Sequence, residues 1–170
     1  MRPLNRLKIA CAFLIASLCG FAPSIHARDT ARAGFEIRGD AKASDLGVPI
    51  YPGAVPRKDK EDDRPGLTFA AWGGDSVFKI AVLKLTSQAS IDDIARFYRD
   101  ALGRYGDVLD CNKEAPTRRS RDDILTCDDK ETKSDSLIYK VGLPKHQHLV
   151  RLQDKGDRVH IEIVRIDAGQ

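Results

Sequence analysis

The sequence predicts an α+β fold in which one amphipathic helix packs on a curved, mostly antiparallel sheet, in the order β-β-α-β-β-β-β. Three observations predict it. Gly66–Trp72 and Val77–Thr86 alternate apolar and polar residues on either side of Gly73-Gly74-Asp75-Ser76, a hairpin pattern. Ser90–Tyr105 carries apolar residues at helical spacing. Ser136–Leu143, Gln147–Gln153 and Arg158–Ile166 are further strand-like segments separated by short turns.

Residues 1–27 read as a secretory signal. Arg2, Arg6 and Lys8 form a positive start, Ile9–Phe21 an apolar stretch, and Ala22–Ala27 the segment before cleavage. The apolar stretch is shorter than the roughly 20 residues a spanning helix needs, which sets it against an uncleaved anchor. Lipidation at Cys19 would want a small residue just before it, and Leu18 stands there. The whole chain has 28 Lys+Arg against 25 Asp+Glu. The excess lies in Arg2, Arg6 and Lys8, so residues 28–170 are formally neutral. A general nucleic-acid binder needs a net basic surface to displace counterions, and this chain does not show one.

Beyond the signal only Cys111 and Cys127 remain, and in an oxidising compartment two such cysteines pair. Their spacing is far from C-x-x-C and no His lies between them, which favours a structural disulfide over a redox or metal site.

Residues 28–46 are polar apart from Phe35-Glu36-Ile37 and read as a loose N-terminal arm with one short edge strand. Residues 47–170 then form a single α+β domain. At its start, Pro49 and Pro52 hold Val48 and Tyr51 extended, and Pro52-Gly53 turns the chain. Ile50 or Tyr51 is thereby offered to the core. The same stiff loop could instead present Tyr51 to a partner. The string Pro49–Ala54, with its YPGA, is followed by two strands and then by Ser90, Phe97, Tyr98 and Leu102 in the helix. This arrangement resembles a group of small exported bacterial proteins of unknown function, over about the first half of the mature domain. The resemblance implies a bacterial exported protein, and no catalytic residue carries over from it.

Arg57–Arg64 is a run of mixed charges and reads as a solvated loop. Its acidic residues lack the spacing of a calcium loop. In Val77–Thr86 the alternation changes phase, with Phe78, Ile80 and Val82 on one face and Leu83 and Leu85 on the other. That predicts a bulge or burial on both faces. Ser90 is a helix N-cap with Asp93 three residues on, and Gly106 ends the helix. Ile91, Ile94, Phe97, Tyr98, Ala101, Leu102 and Tyr105 form its core stripe, with Arg96, Arg99 and Asp100 opposite.

Asp107–Cys111 reads as a short strand, and the hydrophilic stretch after it holds Arg118, Arg119 and Arg121. This is either a solvated loop or a basic tip that touches an anionic partner such as lipid A or a phosphate. The candidate interaction surface is therefore Tyr51 with Arg118, Arg119 and Arg121. In the last hairpin, a two-residue loop at Lys155-Gly156 would place Gln153 opposite Arg158 and Arg151 opposite His160. Val150, Leu152, Val159, Ile161 and Ile163 then share a core face. His146 and His148 share that strand face and His160 the other, so the three do not converge on a metal. His146 and His148 read instead as exposed loop-end residues.

No G-x-S-x-G, H-E-x-x-H or phosphate-cradling glycine loop is present. The carboxylate pairs lie side by side in polar stretches and not across an apolar cleft. We therefore assign no catalytic residue, no metal ligand and no cofactor. The expectation is an exported, periplasmic or secreted, binding or accessory protein that contacts a protein or envelope component. A small enzyme with a hidden cleft and a non-catalytic subunit of an envelope assembly are the alternatives. An exposed apolar sheet face would favour binding or assembly, and a buried polar cleft an enzyme.

Overall fold

The computed structural model describes residues 33–113, 124–132 and 135–169. The protein is α+β. Its strands are β1 (Gly34–Arg38), β2 (Val55–Pro56), β3 (Gly66–Gly73), β4 (Ser76–Ser87), β5 (Leu109–Asp110), β6 (Leu137–Leu143), β7 (His146–Asp154) and β8 (Val159–Gly169). α1 (Ala43–Leu46) follows β1, α2 (Ile91–Leu102) follows β4, and α3 (Asp129–Thr132) precedes β6. The strands form one eight-stranded sheet in the order β1-β3-β4-β8-β7-β6-β5, with β2 also on β4, and every pairing is antiparallel. The last strand thus lies in the middle, joining the β3–β4 and β6–β7 hairpins.

The β3–β4 hairpin forms as its pattern predicts. Gly73 pairs with Ser76, and Gly74 takes a φ of 59° in the tight turn, a value open to glycine at no steric cost. α2 starts on Ser90, whose Oγ accepts from the Asp93 N–H at 3.2 Å and donates to the Asp93 carboxylate at 2.7 Å. The regular helix ends at Leu102, and a 3-10 turn over Gly103–Tyr105 carries the chain to Gly106. The predicted stripe splits there. Ile94, Tyr98, Ala101 and Leu102 are buried, Ile91 and Phe97 are half-buried, and Tyr105 folds back over the sheet.

The face under α2 is the core. Leu85 of β4 stands opposite Ile161 of β8, and Ile161 opposite Leu152 of β7. Leu83, Ile163 and Val150 make the next row. All six are buried, as are Tyr139 and Val141 of β6. Tyr98 sits wholly inside this core; burial pushes its hydroxyl pKa up to about 12. The hydroxyl accepts a hydrogen bond from the Tyr51 N–H at 3.2 Å, joining helix and entry loop.

One sequence expectation needs correction, and two others are made specific. The β7–β8 register differs by two residues: Gln153 pairs with His160 and Arg151 with Glu162, around a longer turn closed by Lys155 N–H donating to the Arg158 carbonyl at 2.9 Å. A shift of two preserves every face, so the core assignment stands. Of the two readings of the β4 phase change, the bulge is excluded, since the pairing with β8 runs unbroken from Val77 to Ser87. The other, apolar residues on both faces, holds, with the second face only partly covered. Finally, the arm supplies the expected edge strand, β1, and beyond it α1, whose Leu46 is fully buried; Val48, just after the arm, is buried too. Asp45 anchors α1 by accepting from the Lys42 N–H, Arg38 and Lys79 at 3.1, 3.0 and 3.3 Å. Burial alone would raise its pKa; these bonds outweigh that and hold it at about 2.

Cys111 and Cys127 form a disulfide, with Cα atoms 5.4 Å apart. The two cysteines pack on Ile138, which is fully buried on the sheet face opposite α2.

Candidate functional site

The strand registers sort the side chains of that opposite, outer face into rows. Phe35, Ala71, Phe78 and Ala168 form one row across β1, β3, β4 and β8. Ile37, Phe69, Ile80 and Ile166 form the next, and Leu67, Val82, Val164 and Leu149 the third. Lys84, Glu162 and Arg151 then make a charged row at the edge.

One half of this face is covered and the other is not. Over β6, the disulfide cluster covers Ile138, and Glu131 of α3 holds the buried Lys140 ammonium at 2.6 Å. Over β1, β3, β4 and β8, Phe35 and Ile37 remain 73% and 62% exposed, and Leu67 and Phe78 are exposed too. Phe69, Ile80, Val82, Val164 and Ile166 are half-buried. At the β3–β4 turn the patch runs into an open cleft of about 790 Å³ lined by Trp72, Val77, Phe78 and His146. Scattered exposed apolar residues are ordinary, and a contiguous patch of this kind is therefore the candidate interaction surface. The phase change of β4 is the sequence signal of this second apolar face, and the neighbours of β4 in the sheet decide how far it is covered.

The rim of the patch is neutral. Lys84 pairs with Asp59 and Asp63 at 2.7 and 3.1 Å, Arg57 pairs with Asp59, and Arg151 faces Glu162 at 3.9 Å. The mixed run at 57–64 therefore folds its charges onto the end of β4.

Tyr51 lies away from this patch. Its ring is half-buried against the helix side of the core, meeting Phe97 edge-on at 5.2 Å. It is the residue the two prolines offer to the core, while Ile50 points outward. Arg118, Arg119 and Arg121 lie outside the described residues.

The histidines occupy three different settings. His146 is exposed beside Asp167 at 3.5 Å, and His160 is half-buried on the outer face. His148 is buried, which corrects the expectation of an exposed residue. It lies on the inner face with Val141 and Arg165 as cross-strand neighbours. Tyr105 stacks on its ring at 4.1 Å and donates its hydroxyl hydrogen bond to the Gly47 carbonyl. Gly47, at φ 69°, must be glycine: a Cβ would meet the Tyr105 hydroxyl at 3.0 Å and His148 Nε2 at 3.2 Å. Among the described residues, the group whose ligand atoms lie close enough for a metal is Cys111, Cys127 and Glu131. Its sulfurs are joined to each other and its carboxylate is paired with Lys140.

Burial, reinforced by the Arg165 charge, lowers the His148 pKa; Asp167 and the Leu46 carbonyl pull the other way without prevailing. His160 is lowered too, by burial and then by Arg57. A histidine with a depressed folded pKa is neutral in the folded state, while the unfolded chain takes up a proton near pH 6.5. Stability is therefore full above about pH 6.5 and falls as pH drops below it. Urea melts between pH 8 and pH 5 should show that loss. The His148→Gln variant should show a shallower dependence; a slope identical to that of the unaltered protein would remove His148 as a cause.

Among the described residues, no helix is long and apolar enough to cross a membrane. Comparison with protein-family models, with curated proteins and with solved structures found no match.

Proposed function

We propose that the protein is an exported, non-catalytic binding or accessory module that works through the uncovered half of its outer sheet face. The contiguous apolar patch over β1, β3, β4 and β8 carries this reading. The disulfide, at home in an oxidising compartment, and the signal-like residues 1–27 support the export part of it.

The occupant that fits the patch is the same face of a second copy. The patch is built from the even pleat of four antiparallel strands, and two such faces pack about 10 Å apart as a sandwich. The rim charges are internally paired and residues 28–170 are net neutral, so two copies do not repel. The chain's own undescribed segments are poor covers. Residues 28–32 (RDTAR) and 114–123 (EAPTRRSRDD) are polar. Four strands of about five residues span on the order of 300 Å² in projection. That is at the small end for an interface, so the pair should be weak and concentration-dependent.

Sedimentation equilibrium of the chain without residues 1–27 tests this. A reversible dimer is expected, reduced to monomer by Phe35→Asp together with Phe78→Asp. Both side chains are exposed, so neither change removes core packing. A chain that stays monomeric at high concentration, or a dimer indifferent to the double substitution, would overturn the reading.

A further inference from the structure

A second feature lies on the other side of the sheet and is independent of the outer face. Beside the N-terminal half of α2, a cleft of about 410 Å³ opens toward the turn after β5. That volume falls in the range of small-molecule sites. Arg96 and Arg99, one helical turn apart on α2, form one wall, and Lys113 stands on the other. Tyr139 is part of the floor.

We propose that this cleft binds a small, hydroxylated or amino-bearing molecule through its carboxylate or phosphate group. The argument begins with Arg99. Arg96 is paired with Asp93 at 3.3 Å, and Lys113 with Asp110 at 3.4 Å. Arg99 has no carboxylate partner among the described residues. Its guanidinium carbon lies instead 5.9 Å from the centroid of the Tyr139 ring. A guanidinium held beside an aromatic face, with no carboxylate partner, keeps N–H donors for a forked bond to an anion.

Tyr139 adds a second observation. The residue is only 3% exposed yet lines the cleft, so it holds Arg99 from a fixed position. A tyrosine hydroxyl can both donate to and accept from a ligand oxygen. Burial, with the nearby Asp110 charge, raises its pKa, so the group stays protonated and able to donate.

Asp92 and Asp110 also line the cleft. They oppose a bare, highly charged anion and can accept from hydroxyl or ammonium groups. The three cations and two carboxylates together therefore select a molecule with one anionic end and donors elsewhere.

The test uses the chain without residues 1–27 and three probes: gluconate, glutamate and glycerol 1-phosphate. Titration is followed by NMR at the Arg99 Nε–Hε and the Tyr139 ring. At least one probe should shift both signals saturably, and sodium sulfate should not. A response to gluconate or glutamate identifies a carboxylate ligand, and one to glycerol 1-phosphate a phosphate ligand. Arg99→Gln should weaken binding about tenfold, as expected for losing one charge-assisted contact. Arg99 is exposed, so the variant keeps its fold. No saturable shift with any probe into the tens of millimolar, or equal binding by Arg99→Gln, would overturn the proposal.

Discussion

Replacing Ile161 by Ala is expected to cost about 3–4 kcal/mol of unfolding free energy, the range for emptying a well-packed core position. Ile161 is fully buried in the central strand β8, directly between Leu85 and Leu152. These three residues come from both hairpins, and α2 lies over them. A cavity there cannot be filled from one side, because each neighbour is held by its own strand pairing. A domain of this size has a net stability of roughly 5–15 kcal/mol, so the loss is a large fraction of the total. The melting temperature should fall by on the order of 10 °C. Val164→Ala, three residues on but facing outward and half-exposed, is the control and should cost about 1 kcal/mol or less. Urea melts of the two variants separate the faces. Equal losses would mean that the core does not lie under α2.

Opening the disulfide should have the second-largest effect. Cys111 and Cys127 are 16 residues apart, and closing a loop of that length stabilises by about 3 kcal/mol on the chain-entropy account. The bridge also holds its segment over Ile138 and Leu149. Once it is opened, apolar surface next to the patch on β8 should become accessible. Cys111→Ala with Cys127→Ala should therefore lower the urea midpoint and increase binding of an apolar dye, with the far-ultraviolet circular dichroism nearly unchanged. Coincident melts with and without the bridge would show that the segment is held by its other contacts, chiefly Glu131 on Lys140.

Both predictions draw on features that differ in how far they could be read beforehand. Local chemistry made the β3–β4 hairpin, the Ser90 cap and the disulfide legible, because each depends on residues close in sequence or on the scarcity of cysteine. The core face of β7 and β8 was legible through its period of two, even with the register displaced. The displacement followed from the turn: Lys155–Arg158 closes by a backbone bond that the residue types do not announce. The burial of His148 is not legible locally, because the residue lies only two positions from the start of β7. Only the return of Tyr105 and Gly47 over it, from two other parts of the chain, buries it.

By itself, then, the sequence determined the α+β class, the hairpins, the capped helix, the cysteine pairing and the side of the last hairpin that faces inward. Each follows from periodicity or short-range backbone chemistry. Tertiary structure alone decided that β8 lies in the middle of the sheet and that β1 pairs with β3. It also decided which half of the outer face is covered and how Arg99 and Tyr139 meet across the cleft. The physical reason is the same in each case. Strand order and side-chain neighbours between distant segments are set by the packing of the whole sheet, and a strand's own alternation is the same whichever strand it pairs with.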